Sequence, residues 1–232
     1  MTDLHLSGMF PEASAARLIE QMNALKPDLI CLGGDLSETE ADLETALKLL
    51  VRLRAPLGIF AVPGNNDWEH PRVQGIPLPD ALAGVGITLL VDREAAMSLG
   101  ENRLLIGGLN AFLCRTKPRR PLFETSGEHD FRIAMAHYPQ SLFLHQRDFA
   151  ALPHLGLAGH THGGQFRFLG LTPYSIGFER AKKAHLMPCS GWTDKPGFPT
   201  LISNGIGTSR LPFRLNVPPM IHLITLVKNG KI

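Results

Sequence analysis

The chain has 232 residues, of which 44% are hydrophobic and 19% charged, a composition typical of a globular protein with a large buried core. It excludes a disordered chain, a collagen and a coiled coil. The 23 basic and 21 acidic residues leave a formal net charge of +2, so no overall positive field favours nucleic acid. We therefore expect no nucleic acid partner.

Three cysteines, Cys31, Cys114 and Cys189, are widely spaced among small or apolar residues. This pattern argues against a disulfide framework and against a thiolate metal site, and it favours a reducing compartment. No run approaches the roughly 18 apolar residues of a membrane-spanning helix. We expect a cytoplasmic protein, and membrane association of a longer form stays open.

The first quarter of the chain alternates helix and strand patterns. Apolar residues recur at helical spacing in Pro11–Leu25 and in Glu40–Arg54, as in helices that cover a core. The short apolar runs Leu29–Leu32 and Leu57–Val62 each end at glycine or Pro-Gly and predict buried parallel strands. This order predicts an α/β layer structure in which the carboxyl ends of the strands converge on a ligand site.

The remaining elements are short. The pattern predicts a helix at Asp80–Leu82 and strands at Ile87–Val91, Arg103–Gly107, Arg132–Ala136, Leu155–Ala158, Pro199–Ile202 and Met220–Val227. The last two strands indicate a second sheet. Because the chain shows no repeat, low-complexity segment or linker, we expect residues 1–232 to form a single domain.

Polar residues that bind divalent metals follow five of the strand-like runs or glycine turns. They are Asp3 and His5, Asp35, Asn65 with Asn66 and Asp67, His137, and His160 with His162. Carboxylate, imidazole and amide groups suit such cations, and phosphate-ester catalysis often uses two of them about 3.5–4 Å apart. In extended backbone, residues i and i+2 face the same side. We therefore expect each Asp-x-His or His-x-His pair to aim both side chains at one cavity.

This order of motifs, Asp-x-His, Gly-Asp, Gly-Asn-x-Asp, His and Gly-His-x-His, resembles the calcineurin-like metallophosphoesterases over nearly the whole chain. The segments Gly159–Gln165, Ser203–Ser209 and Leu211–Arg214 resemble a bacterial branch whose members often carry an N-terminal membrane segment. The implied fold is α/β, with two mainly mixed β-sheets packed as a sandwich and flanked by helices in four layers. Because chain ends fray, and because we expect the fold to lack the first strand that normally holds Asp3 and His5, either an upstream piece is missing or the site is weaker for that.

The resemblance implies a dinuclear centre and its ligands. Asp3, His5 and His162 would hold one metal ion, Asn65, His137 and His160 the other, and Asp35 would bridge them. The ions would be Mn, Fe, Zn or Co, and a hydroxide bridging them would attack a phosphodiester or related small-molecule phosphate ester. Two alternatives are hydrolysis of the pyrophosphate bond of a nucleotide-linked lipid precursor of the UDP-diacylglucosamine type, and a weakly active metal-binding protein.

The chain departs from this family at Asn66, where members usually have a histidine that stabilises the phosphoryl group or protonates the leaving alkoxide. An amide cannot shuttle a proton near neutral pH, so an acid–base contribution of roughly 10²–10⁴ is absent. The candidate catalytic residues are thus Asn66, Asp67 and Asp35, with Asp67 either orienting residue 66 or capping the next turn. His70 is a candidate replacement acid, although a solvated loop histidine is the favoured interpretation.

Other features have ordinary explanations beside functional ones. The basic run Arg115, Lys117, Arg119 and Arg120 predicts peripheral contact with an anionic membrane or, as favoured, a solvated loop. Gly205–Ser209 lacks the lysine of a nucleotide-binding phosphate loop, and the resemblance places it near the site. Arg214 is either a phosphate contact or part of a buried ion pair. We expect structural roles for the isolated histidines His129, His145, His154, His185 and His222.

Overall fold

The computed structural model describes residues 1–110, 121–173 and 187–227. The helices in these ranges are α1 (Glu12–Ala24), α2 (Glu40–Leu50), α3 (Asn65–Glu69), α4 (Leu78–Gly84) and α5 (Pro139–Leu144). The strands are β1 (Ile30–Leu32), β2 (Ile59–Ala61), β3 (Arg72–Val73), β4 (Ile76–Pro77), β5 (Ile87–Leu89), β6 (Arg93–Leu99), β7 (Asn102–Gly108), β8 (Phe131–Ala136), β9 (Leu155–Ala158), β10 (Gly191–Thr193) and β11 (Thr200–Ile202).

The strands form two principal sheets and a small hairpin. The first sheet has the order β1-β2-β5 and is parallel throughout. The second has the order β10-β11-β9-β8-β7-β6, with four parallel central strands and an antiparallel strand at each edge. Strands β3 and β4 form the hairpin. The expected pair of sheets is confirmed, and only the second of them is mixed.

The layers follow from where each element buries its apolar side chains. Phe60 and Leu90 from the first sheet pack against Ile106 and Met135 from the second, so the two sheets share a core. Side chains of α1, α2 and α4 cover the outer face of the first sheet, and α5 covers the second. Helix α2 begins where the Thr39 hydroxyl accepts a hydrogen bond from the Asp42 amide at 3.1 Å, a common N-cap. The expected four-layer order is confirmed.

One predicted strand, Met220–Val227, is wrong. The amide of Met220 donates to the Gly205 carbonyl at 3.0 Å, but residues 220–227 form no strand. Residues 221–226 instead line an apolar cavity of about 690 Å³ whose other walls include Ile30 and Leu155. A strand needs a neighbour for its backbone hydrogen bonds, and among the described residues no strand pairs with residues 220–227.

The first six residues run beside the end of β1 and are held by their backbone. The N-terminal amine of Met1 donates to the Cys31 carbonyl at 3.0 Å, and the amides of Asp3 and His5 donate to the carbonyls of Gly34 and Asp35 at 2.9 and 3.0 Å. The side chains of Leu4 and Leu6 belong to the core. This segment is therefore anchored, contrary to the expectation of a frayed end.

Candidate metal centre

Four of the seven candidate ligands follow parallel strands of the two sheets. Asp35 follows β1, Asn65 follows β2, His137 comes directly after β8, and His160 follows β9. Parallel strands present their carboxyl ends at one edge of a sheet, so packing the two sheets face to face brings these residues together. Of the other three candidate ligands, Asp3 and His5 lie in the N-terminal segment, and His162 lies beyond His160 in the loop after β9.

The first ligand group consists of Asp3, His5 and His162, all of them buried. The Nε2 atoms of His5 and His162 lie 3.1 Å apart, and Asp3 Oδ1 lies 3.7 Å from His162 Nε2 and 4.0 Å from His5 Nε2. Two facing imidazole nitrogens can share only one proton between them. A cation among the three side chains would satisfy both nitrogens and the carboxylate, so this donor set fits a metal ion.

The second ligand group consists of Asp35, His137 and His160, joined by the amide oxygen of Asn65. His137 Nε2 lies 3.3 Å from Asp35 Oδ2, 3.2 Å from His160 Nδ1 and 3.2 Å from Asn65 Oδ1. Imidazole, carboxylate and amide groups again converge on one point. This set also fits a divalent cation.

Asp35 belongs to both groups. Its Oδ2 lies 3.3 Å from His137 Nε2 in the second group and 3.5 Å from His5 Nε2 in the first. Its Oδ1 accepts a hydrogen bond from the Asn66 amide at 2.9 Å, which fixes the carboxylate. One oxygen that faces two sets of donors has the geometry of a bridging ligand, so the structure brings together all seven side chains implied by the resemblance.

The backbone at these residues is not extended. Asp3, His5, Asp35, His160 and His162 have φ angles of 52°, 44°, 52°, 68° and 52°, in the left-handed region that few residues other than glycine adopt. The explanation of the two-residue spacing by an extended strand is therefore wrong. His160 and His162 nevertheless line one cavity, as expected, and they belong to different groups, as the resemblance implied. Strained residues of this kind cluster at functional sites.

The loops after β1 and β2 approach each other so closely that only glycine fits between them. Gly34 has a φ of 91°, and a Cβ placed on it would lie 2.4 Å from the Gly64 amide nitrogen. A Cβ on Gly64 would lie 2.0 Å from Asp35 Oδ1. Both glycines thus let the Asp35 carboxylate reach its position.

Burial and neighbouring charges shift the pKa values of these groups in different directions. Burial raises the pKa of Asp35, but His137 and His5 outweigh it and hold the pKa well below its usual range. Burial lowers the pKa of His137, yet Asp35 more than compensates and raises it to about 10. Burial, together with His5 and Arg214, lowers the pKa of His162 to about 4. Without a cation, His137 is therefore protonated at neutral pH and His162 is neutral.

Partners behind the ligands orient two of the histidines. The Glu38 carboxylate contacts His5 Nδ1, and the Gly33 carbonyl lies 2.8 Å from His137 Nδ1. Acceptors of this kind take the Nδ1 proton and direct Nε2 toward a metal. The Arg214 guanidinium, 3.3 Å from His162 Nδ1, is a donor and does not act in this way. Glu38 and Tyr138, whose hydroxyl donates to Asn65 Oδ1 at 3.3 Å, were missed. The only sign of them in the sequence is that each lies within three residues of a predicted ligand.

Arg214 contacts backbone carbonyls. Its guanidinium donates to the carbonyls of His162 at 3.0 Å and Asn204 at 2.8 Å, and to that of Gly207. It forms no ion pair with the described residues and does not line the cavity described below, so neither of its two expected roles gains support. The side chain thus braces the loops that carry His162.

Asp67 and Asn66 differ in position. Asp67 is buried, and its carboxylate accepts hydrogen bonds from the amides of Asp35 and Gly64 at 2.8 Å each and of Leu36 at 3.0 Å. It does not line the cavity, so it joins the two loops and caps α3. Asn66 faces the cavity, with its Nδ2 3.4 Å from His5 Nδ1.

A cavity of about 770 Å³ opens over the ligands. His5, Asp35, Asn65, Asn66, His160 and His162 form its floor, and Phe166, Pro173, Ser209, Arg210 and Leu211 are among its walls. Ser209 places the end of the Gly205–Ser209 segment at the site, as expected. His70 is not part of this cavity, and its Nε2 lies 3.0 Å from the Glu38 carbonyl.

The isolated histidines that the structure describes lie away from this centre. His129 is exposed, His145 contacts the Asp148 carboxylate at 2.7 Å, His154 contacts Arg132 at 3.0 Å, and His222 Nε2 lies 3.1 Å from the Ser203 hydroxyl. Cys31 and Cys189 are free thiols. His185, Cys114 and the basic run from Arg115 to Arg120 lie outside the described residues.

In the part of the chain that the structure describes, no helix is long and apolar enough to cross a membrane.

The sequence model of the calcineurin-like phosphoesterase family matches residues 1–164. Two relatives from Bacillus subtilis are the uncharacterized protein YpbG, 29% identical over 90% of this chain and 74% of its own length, and the uncharacterized metallophosphoesterase YkuE, 26% identical over 97% and 77%. An uncharacterized metallophosphoesterase from Aquifex aeolicus is 26% identical over 99% of this chain and 84% of its own length. With this match and this arrangement of side chains, the chain belongs to the calcineurin-like phosphoesterase family.

Proposed function

We propose that this chain hydrolyses a phosphodiester or a related phosphate ester at a dinuclear metal centre formed by Asp3, His5, Asp35, Asn65, His137, His160 and His162. The observation that supports the proposal best is the position of Asp35, whose Oδ2 lies within 3.5 Å of a histidine nitrogen of each ligand group. A carboxylate shared in this way would set the spacing of two cations. Two ligand groups that share one carboxylate therefore support a centre of two ions.

Two divalent cations held here would lower the pKa of a water molecule and neutralise charge on the phosphoryl oxygens. The chain's own residues prepare the site for them. Asp67 ties the loops of Asp35 and Gly64 together through their backbone amides. The Asn66 amide fixes Asp35 Oδ1. Catalysis thus starts from ligands that need little rearrangement, which lowers the free energy needed to reach the transition state.

Asn66 limits the range of substrates. Its side chain faces the cavity and can donate a hydrogen bond to a phosphoryl oxygen, but it cannot protonate a leaving group. Among the described residues that line the cavity, none outside the proposed ligands is a general acid of ordinary type, and His70 lies outside the cavity wall. We infer that esters with good leaving groups, such as aryl phosphates, are hydrolysed faster than alkyl esters.

The cavity fits a small molecule. Its volume of about 770 Å³ lies within the range of about 300–1,000 Å³ typical of sites for small organic ligands. Arg210 in its wall supplies a positive charge for an anionic substrate. A small-molecule phosphate ester is therefore the substrate class that we propose, and the ions are Mn, Fe, Zn or Co, which share this donor chemistry.

Turnover of bis(p-nitrophenyl) phosphate by protein purified with Mn²⁺ tests the proposal. The Asp35→Ala variant removes the shared ligand, and Asp80→Ala, at an exposed position of α4, makes the same change elsewhere. We expect Asp35→Ala to lose more than about 100-fold in rate, beyond the cost of losing an outer partner, and Asp80→Ala to match wild type. Unchanged turnover in Asp35→Ala would contradict the proposal, and bound ions without turnover in wild type would support a metal-binding protein instead.

A further inference from the structure

Exposed apolar side chains border the mouth of the metal-centre cavity. Two segments carry them, residues 166–173 and 209–216. The large apolar side chains most exposed there are Phe168 (68%), Leu169 (87%), Leu171 (59%), Leu211 (48%), Phe213 (55%) and Leu215 (45%), which together we call the apolar rim. Clusters of exposed apolar residues on folded proteins usually mark a surface that binds something.

The two segments of the apolar rim form one surface. The Arg167 amide donates to the Leu215 carbonyl at 2.8 Å, and the Leu215 amide donates to the Gln165 carbonyl at 3.0 Å. The buried Gln165 side chain donates to the carbonyls of Leu211 and Phe213, both at 3.0 Å. These bonds hold the exposed side chains in place beside the cavity, so the surface exists before any partner binds.

The tip of the rim is built at a conformational cost. Phe168 and Leu171 exchange backbone hydrogen bonds of 2.9 Å in each direction, which makes Leu169 and Gly170 the two turn residues of a hairpin. Both have positive φ angles, 48° and 83°, and such turns strongly favour Asn, Asp or Gly. A leucine at the first position is both strained and 87% exposed. Neither feature stabilises the fold, so both point to a partner.

The charged side chains within the two segments that carry the rim have one sign. Residues 163–173 and 205–227 contain no aspartate or glutamate. Arg167 adjoins Phe168, and the exposed Arg210 adjoins Leu211 and lines the cavity. Apolar side chains next to arginines suit the boundary between headgroups and acyl chains of an anionic bilayer. Energetically important positions of protein interfaces are instead rich in Trp and Tyr and poor in Leu, whereas this rim has four leucines.

We propose that the apolar rim docks on an anionic lipid bilayer, with the mouth of the metal-centre cavity against the headgroups. Phe168, Leu169 and Leu171 enter the interface, and Arg167 and Arg210 contact lipid phosphates. Docking does not depend on catalysis. The consequence that the substrate is a phosphate ester presented at a bilayer surface rests on the proposed function.

Co-sedimentation with vesicles tests the docking. The probes are phosphatidylcholine vesicles with and without phosphatidylglycerol. We expect wild type to bind the anionic vesicles, and added salt to weaken binding. The double variant Phe168→Ser with Leu169→Ser should lose more than about tenfold in affinity, since each side chain removes apolar area from water. The control is Leu152→Ser with Val51→Ser, two exposed apolar positions (53% and 47%) outside the apolar rim, and it should bind like wild type.

A second measurement separates this proposal from the proposed function. Neither Phe168 nor Leu169 lines the cavity, so the rim variant should hydrolyse water-soluble bis(p-nitrophenyl) phosphate at the wild-type rate, which also shows that it folds. Vesicle binding without turnover would support the rim and contradict the phosphoesterase. Turnover without vesicle binding, equal loss in the control variant, or a wild-type dimer that the rim variant abolishes would each overturn the bilayer proposal.

Discussion

The two ligand groups are built differently. The second group takes its ligands from the ends of parallel strands and the turns after them, so the sheets themselves position Asp35, Asn65, His137 and His160. The first group takes Asp3 and His5 from a segment that belongs to no strand and is held by backbone bonds to residues 31–37. Its histidines also have charged outer partners, Glu38 and Arg214, where His137 has a backbone carbonyl. The first group should therefore depend more on single side chains outside the site.

The largest effect should come from a change that disturbs both groups at once. In Gly64→Ala, the new Cβ would lie 2.0 Å from Asp35 Oδ1, so the shared carboxylate must move. We expect phosphodiester turnover to fall by more than about 100-fold, beyond the cost of an outer partner, with two ions no longer bound. Gly84→Ala is the control because no atom lies within 4 Å of its added Cβ. Equal activity in the two variants would show that the close approach is not needed.

A smaller effect, on metal affinity, should distinguish the two ligand groups. Glu38→Gln removes the carboxylate that contacts His5 Nδ1, and losing such a partner typically costs 10–100-fold in metal affinity. We expect that loss for one of two ions in a calorimetric titration, with the other ion unaffected. Glu69→Gln makes the same change at an exposed position and should leave both affinities unchanged. Equal weakening of both ions would contradict the separate roles.

A change at Asn66 should increase activity. Asn66→His introduces a group that can donate a proton near neutral pH, so it should raise the rate on alkyl phosphates. We expect about tenfold, part of the 10²–10⁴ typical of general acid catalysis, because the imidazole enters a site not shaped for it. The rate on p-nitrophenyl esters, whose leaving group needs no proton, serves as the control. The same increase for both kinds of ester, or none for either, would contradict the assigned role of residue 66.

The smallest effect concerns protons. The pKa of His137 is raised to about 10 and that of His162 is lowered to about 4. At pH 7 a cation must displace a proton from His137 but not from His162. Metal titrations in two buffers of different ionisation enthalpy should therefore show at least one proton released when the second group binds its ion. His137→Asn should lower the release per bound ion by about one proton. An unchanged release per bound ion in His137→Asn would place the proton elsewhere.

Much of this could be predicted from the sequence. The helices α1 and α2 and the strands β1 and β2 follow from apolar spacing, and the seven ligands follow from the order of motifs. Strand β6 was missed because Arg93–Leu99 is polar or half-exposed at the edge of the sheet, which leaves little apolar pattern. The false strand at Met220–Val227 has the pattern but no neighbouring strand, and a local pattern cannot show whether a partner is present.

The geometry of the site was harder to predict. The left-handed backbone at Asp3, His5 and His162 has no signature in the residue types, because aspartate and histidine also occupy ordinary strands. Glu38 contacts His5 across 33 positions of the chain, and no sequence motif predicts that contact. Arg214 was singled out, but its bonds to three backbone carbonyls depend on how the loops fold. Contacts of this kind depend on how distant parts of the chain pack together, which local sequence patterns do not specify.

The central claim is that two cations share Asp35, and anomalous scattering from a crystal grown with Mn²⁺ tests it directly. We expect two peaks about 3.5–4 Å apart, one among Asp3, His5 and His162 and the other among Asn65, His137 and His160, with a carboxylate oxygen of Asp35 bound to both. A single peak, or two peaks of which only one contacts Asp35, would contradict the claim.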